Sequence, residues 1–516
     1  MLVIFIWAVA AETEPIILND VSSVNLSLYQ PLLTGEKGIE VLKDIEVYID
    51  DMKLESKVGS GGGSLRYVNP QVVLKVNNLS IENSLSTGNG GSFFMQSPFT
   101  LKVSNCSFLN SSAASHGGSV YAQTTNSVII TQSLCNKTRG QHGGSAYIYS
   151  GKCNITKSWF TNSEATQSGG SLFICGTSSN LFYQINDCFF GECKCADSGG
   201  AIYVSSPTNS LTEIIDCTFY SCYSSGGNGG AIYISTQGGS IYCNIKRICF
   251  SMCLIENTSP SLSGTSLYII SSSQDLLLSM EMITCSKSGK SGRSVGSISL
   301  YYGQQSAIGI NLSFCLSKES SGFEFYPSTT ASYQFLNVIQ CSSNSNRICY
   351  LYPQSTGSVD LSNSNVLNNT GSSSVIRVYG YLNKFIIKNS VFYGNSGILF
   401  IIEYQTQIVR NSYIVHSGTL HSGFVFESCI TTSSTSFLTQ THILTHYSTY
   451  LCPTPQELGI LEIPCQTIPE GIYPVDCPTN PPAPTTCVIH TADAVYNIIS
   501  MSSMFQLIIS SLLNIL

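Results

Sequence analysis

The sequence predicts an all-β chain wound as a right-handed parallel β-helix of about fourteen coils, and three observations predict it. A Gly-Gly-Ser or Gly-Gly-Ala corner recurs every 26 to 30 residues, beginning at Gly62, Gly90, Gly117, Gly143, Gly169, Gly199 and Gly229. Each corner opens a stretch in which two kinds of side chain alternate, the period-two pattern of a strand. A second strand signature precedes each corner, with no helical periodicity between the two.

The corners come first. A glycine pair serves where the backbone turns sharply, because φ must be positive or a Cβ would clash. The clear pairs are Gly90–Gly91, Gly117–Gly118, Gly143–Gly144, Gly169–Gly170, Gly199–Gly200 and Gly229–Gly230, after an earlier one at Gly62. A degraded copy follows at Gly264, and weaker ones fall near Val295, Ser321, Arg347, Ser372, Ser396 and Ser422.

The strand after each corner carries three columns. Phe93, Val120, Ala146, Leu172, Ile202, Ile232 and Leu267 form one aliphatic column, and Met95, Ala122, Ile148, Ile174, Val204, Ile234 and Ile269 form another. Between them lie Phe94, Tyr121, Tyr147, Phe173, Tyr203, Tyr233 and Tyr268. Alternation sends the aliphatics into a core and the aromatics to the opposite face. The strand before each corner reads Ile185-Asn186-Asp187-Cys188-Phe189-Phe190 in one copy and Ile214-Ile215-Asp216-Cys217-Thr218-Phe219 in the next.

One such unit cannot bury its apolar face alone, whereas stacked units bury it continuously. Fourteen rungs at about 4.8 Å make a rod of roughly 65 Å. A propeller needs longer repeats of four strands, and the regular leucine signature of leucine-rich repeats is absent. Handedness follows from the right-handed crossover rule.

Composition fits this reading. Only 10% of the 516 residues are charged, 23 basic against 30 acidic, and the basic ones are scattered, which argues against a nucleic-acid partner. The 21 cysteines point to an oxidising compartment. The apolar run Leu2 to Val9, ending in a small-x-small site at Ala8-Val9-Ala10, reads as a signal peptide over residues 1–10. An N-terminal cap is expected over residues 11–57 and the β-helix over 58–448. Residues 449–493 hold nine of the 17 prolines interleaved with Cys452, Cys465, Cys477 and Cys487, read as a stalk closed by two disulfides. The uncharged tail 494–516 is long enough to span a bilayer, though diluted by serine and asparagine. A membrane anchor, a lipid-anchor signal, and a secreted end or an incomplete reading frame remain open for it.

The motifs Gly199-Gly200-Ala201-Ile202 and Gly229-Gly230-Ala231-Ile232, with Phe392-Tyr393-Gly394-Asn395, give the chain a family likeness. It resembles the polymorphic membrane proteins of chlamydiae and the related surface proteins of parasitic protists. The resemblance covers roughly residues 58 to 430 and implies an extracellular β-helix involved in adhesion. The bacterial members carry a C-terminal outer-membrane barrel for which the residues after Cys452 leave no room, so the protist type fits better.

Candidate sites are few. Cys188 and Cys217 share a column, as do Cys193, Cys222 and Cys253, and the rung spacing places their Cα atoms within disulfide range. Disulfides or stacked thiols are favoured there over metal, because zinc prefers tighter cysteine pairs. His116 and His142 should stack at a polar turn position that offers no third ligand. Asp187 and Asp216 are the enzymatic hint, two carboxylates about 5 Å apart as in a retaining glycosidase. Lys157 and Arg247 flank them in the same column, so a structural charge ladder explains the pair equally well. The aromatic column is either a binding stripe for sugars or flat protein surfaces, or a ladder that supports coil stacking; stacking is favoured.

The expectation is a non-catalytic surface or secreted protein acting in adhesion or as a coat, without a cofactor or metal. Its partners would be host-cell or surface glycans or proteins, with membrane contact through the tail. The rival is a secreted carbohydrate-active enzyme using Asp187 and Asp216.

Overall fold

The computed structural model describes residues 52–433 almost continuously, together with four short strands between residues 16 and 49; segments such as 97–99, 177–179 and 258–261 lie outside the described residues. Every regular element among the described residues is a strand, and every strand pairing is parallel. The expected parallel β-solenoid is the fold.

One coil shows how the sequence makes it. Gly117 turns the chain at φ 68°, and Val120–Gln123 follows as the first strand. After a short connection, Ser127–Thr131 forms the second strand, with Val128 and Ile130 buried between partly exposed neighbours. Gln132 then takes φ 48° and bends the chain into Leu134–Asn136; Lys137, at φ 55°, bends it again into Arg139–Gly140. Each strand is too short to bury anything alone, and each pairs with its counterpart in the next coil.

Stacking sorts the strands into three sheets of 18, 28 and eight strands. The first collects the post-corner strands, joined later by Leu316–Ser317 and Ser342–Ser343; the second takes the strands on either side of the first bend, which merge into one in Ile241–Ser251, Leu276–Ser286 and Gln304–Ser313; the third is the short sheet before the glycine corner. The register is continuous: Phe93, Val120, Ala146, Leu172, Ile202, Ile232 and Leu267 pair in sequence, as the repeat alignment predicts. These columns and their counterparts on the second sheet fill one uninterrupted core from Leu54 to Phe424.

The solenoid begins earlier than expected. Ile16–Leu18 pairs with Ile39–Val41, which pairs with Leu65–Val68 in the first sheet; Ser23–Asn25 and Glu46–Ile49 do the same in the second. Part of the region expected as a cap is therefore wound into the same sheets. Residues 11–57 contain no glycine pair, so a search for such pairs does not find these rungs. The expected signal peptide, stalk with Cys452, Cys465, Cys477 and Cys487, and tail lie outside the described residues.

The two glycines of a corner do different jobs. The first has φ between 65° and 72° from Gly90 to Gly229, where side chains are strained. The second faces the corner one rung on: a Cβ on Gly91 would stand 1.9 Å from the Gly118 carbonyl oxygen, and one on Gly118 2.0 Å from that of Gly144. The same squeeze recurs at Gly144, Gly170, Gly200 and Gly230. Amide–carbonyl bonds tie the corners together, with Gly91 N donating to Gly117 O at 3.0 Å and Gly118 N to Gly143 O at 3.1 Å.

Side-chain ladders and candidate binding faces

Parallel in-register stacking places identical positions directly above one another, so each sequence column becomes a physical ladder. The aromatic column does so. From Phe94 through Tyr121, Tyr147, Phe173, Tyr203 and Tyr233 to Tyr268, successive ring centroids lie 4.7 to 5.4 Å apart with interplanar angles of 3° to 14°. Ring faces are thereby spent on one another. Phe94, Tyr121 and Tyr268 are buried, and the four rings between them are half-buried. His116 stacks on Tyr147 at 4.8 Å and His142 lies against Phe173 at 4.7 Å. A sugar needs a ring face, and this column offers edges; its geometry is that of a stacking ladder.

The two histidines lie 5.1 Å apart and burial lowers the pKa of both. Among the described residues no group of three or more His, Cys, Asp or Glu is arranged to hold a metal ion.

Of the two expected arrangements, disulfides or stacked thiols, four cysteines show the second. Cys188, Cys217, Cys193 and Cys222 are free, buried thiols, as are most of the sixteen free cysteines among the described residues. All four stand at bends of the coil, just before a strand, where thiols of neighbouring coils come close to one another. Each thiol points at carbonyls: Cys188 Sγ contacts Asn186 O at 3.2 Å and Ile155 O at 3.7 Å, and Cys217 Sγ contacts Ile215 O at 3.1 Å and Ile185 O at 3.7 Å. Ser133 and Ser158 hold the same position in earlier coils and donate to Thr131 O and Thr156 O, both at 2.9 Å. Cysteine is thus a more apolar serine at an inward corner position. The neighbouring column repeats the exchange, where Ser171 Oγ meets Cys193 Sγ at 2.8 Å and Cys222 Sγ contacts Phe190 O at 3.4 Å. Burial pushes the Cys106 thiol up to about 12 and those of Cys217 and Cys222 well above the usual range.

Asp187 and Asp216 occupy the first bend, both at φ 54°, a conformation Asp tolerates better than most residues. Arg247 grips Asp216 from the next coil through two bonds, Nε to Oδ1 at 2.5 Å and Nη2 to Oδ2 at 2.6 Å. That ion pair is one step of the charge ladder anticipated from the column, the step between Asp216 and Arg247. A carboxylate held at both oxygens is poorly placed to act as a nucleophile. Asp187 is exposed at the same corner.

Two features escaped the sequence reading. The first is Glu324, in the outward column that continues from Tyr268 through Ser299. Its carboxylate is buried, held by Arg347 Nη2 at 3.2 Å and by Ser263 Oγ, which donates at 3.4 Å. The Arg347 guanidinium lies 3.7 Å from the Tyr350 ring centroid. Beside this interruption the aromatic ladder sidesteps to Tyr301 and Tyr326, stacked at 4.2 Å. The missing glycine pair after Gly264 was the only signal that this region departs from the repeat.

The second is the outer face of the second sheet. Phe182, Leu211, Tyr242 and Leu277 stand in one in-register outward column, with Tyr242 51% and Leu277 40% exposed. Two residues along each strand runs a polar column of Gln184, Glu213, Asn244 and Ser279. A shallow open depression spans the two columns from Leu211 to Ser306. The strand pattern for this face was visible, but without register its outward residues could not be joined into columns.

Compared with known proteins, the chain matches no family model, no curated protein and no solved structure.

Proposed function

We propose that the chain is a non-catalytic β-helical surface or secreted protein acting in adhesion or as a surface coat. The observation that carries this reading is the outer face of the second sheet, where apolar and amide-bearing columns run side by side in register over consecutive coils. A rigid face that repeats its groups at rung spacing suits attachment through many weak contacts. The resemblance to polymorphic-membrane-protein-type surface proteins supports the same reading. In that motif the structural roles are clear: Phe392 is core, Gly394 bends the chain at φ 65°, and Asn395 donates to Val366 O at 2.7 Å.

Host-cell or surface glycans or proteins are the proposed partners, and an extracellular location, with attachment through the C-terminal tail, belongs to the proposal. The rival reading, a carbohydrate-active enzyme using Asp187 and Asp216, loses support from the grip of Arg247 on Asp216. The purified full chain on beads, presented to cells and to a glycan array, tests the adhesive reading; saturable attachment is expected. A chain that attaches to nothing acts only as a coat. Glycan depolymerisation that disappears in Asp187→Asn and Asp216→Asn overturns the non-catalytic reading.

A further inference from the structure

We infer that the outer face of the second sheet binds a neutral glycan chain laid along the solenoid axis, with Tyr242 as its principal platform. The inference rests on the adhesive reading and assigns its ligand class and its residues.

Tyr242 is among the most exposed large apolar side chains of the described solenoid, and it stands on a strand rather than on a loop. Unlike the stacked aromatic ladder, its neighbours in the column are the aliphatic Leu211 and Leu277, so no adjacent ring in register takes its face. Beside it lies hydrogen-bonding capacity of the kind sugar hydroxyls use. Gln184 Nε2 donates to Glu213 Oε2 at 3.3 Å, and Asn244 Nδ2 donates to Glu213 Oε1 at 3.4 Å. These bonds are long, and each amide keeps a carbonyl acceptor and a second N–H. An apolar strip next to a row of planar amides and a carboxylate matches a pyranose, which has a C–H face and a rim of hydroxyls. The rungs repeat at about 4.8 Å, close to one sugar ring along an extended chain, so successive rungs can meet successive sugars.

Charge and shape select among ligands. From Asn154 to Ser306 the polar column holds one ionised residue, the anion Glu213, and no cation; the apolar column carries Lys152 at its end, next to Phe182 and three rungs from Tyr242. Lys246, two residues further along its strand, is paired with Glu281 at 2.8 Å. Acidic glycans and nucleic acids are therefore repelled or unassisted. A protein partner needs roughly 800 Å² on each side, and the apolar strip is one side chain wide.

The test uses the purified full chain and calorimetric titration with neutral hexasaccharides of glucose, mannose and N-acetylglucosamine, with hyaluronan as the acidic comparison. At least one neutral hexasaccharide is expected to bind, and hyaluronan is not. Tyr242→Ala should weaken that binding at least about tenfold, as loss of a central aromatic contact does. Both Tyr242→Ala and Glu213→Gln change outward side chains, and unchanged circular dichroism and melting verify that the fold persists. No binding of any neutral hexasaccharide, binding unaffected by Tyr242→Ala, or preference for hyaluronan would overturn the inference. Cell attachment measured on the same proteins separates the two claims. Attachment retained in Tyr242→Ala removes this face and leaves adhesion standing, whereas no attachment by the unaltered chain removes adhesion itself.

Discussion

At the scale of single residues, the repeat is governed by what fits between consecutive rungs. Gly118 shows this most directly, since an added Cβ would meet Gly144 O at 2.0 Å and Arg139 O at 2.5 Å, both rigid backbone. Gly118→Ala should cost several kcal/mol or prevent folding, because relief requires moving two corners at once. Gly238 is a control with φ 80° and nothing within 4 Å of an added Cβ. Gly238→Ala should cost only about 1 kcal/mol from backbone strain, and urea unfolding of the two variants compares them. The cysteines allow an equally direct check. Alkylation of the native chain should leave Cys188, Cys193, Cys217 and Cys222 unmodified, as burial shields them. Unfolding without reductant should then let all four react. Recovery of peptides linked through Cys188–Cys217 or Cys193–Cys222 would show that neighbouring coils are bridged at these bends.

At the scale of elements, the post-corner strand changes character after Leu267, and Glu324 marks the change. Burial raises its carboxyl pKa to about 7, although Arg347 pulls the other way. In the unfolded chain a glutamate titrates near 4.3, so between about pH 4.3 and 7 the folded state binds more protons. Stability from this group is thus complete below the unfolded value and is lost as pH rises through the folded one. The melting temperature should fall between pH 5 and pH 8, and Glu324→Gln should flatten that slope. A slope unchanged in Glu324→Gln would mean that Arg347 keeps the carboxylate ionised throughout. The neighbouring asparagine ladder needs no titrating group: Asn337 donates to Asn311 at 2.6 Å and Asn365 to Asn337 at 2.9 Å, inside the core.

At the scale of the whole molecule, stability is the sum of rungs and the contacts between neighbours, so no coil is indispensable. Deleting residues 169–198 removes one coil and joins Ser168 to Gly199, which occupies the place of Gly169. Phe160 would then stack on Phe219 in place of Phe190, and Ala146 would pair with Ile202. The shortened chain should fold, keep a β-sheet spectrum and melt within roughly 10 °C of the parent, as measured by circular dichroism. Loss of cooperative melting would show that the coils depend on longer-range contacts than nearest-neighbour stacking.

The amino-acid pattern alone determined the solenoid, its corners and its ladders, because a repeat that cannot bury its own apolar face has few solutions other than stacking. Gly90, Tyr121 and Ile202 declared their places by periodicity, which needs no knowledge of neighbours. Tertiary structure decided whatever depends on direction or register. The thiols of Cys188 and Cys217 are unbridged, the faces of the aromatic column are consumed by stacking, and Arg247 closes on Asp216. Tyr242 and Glu213 became neighbours on one face only once strands far apart in sequence were set in register, since a one-residue slip would have turned either side chain inward.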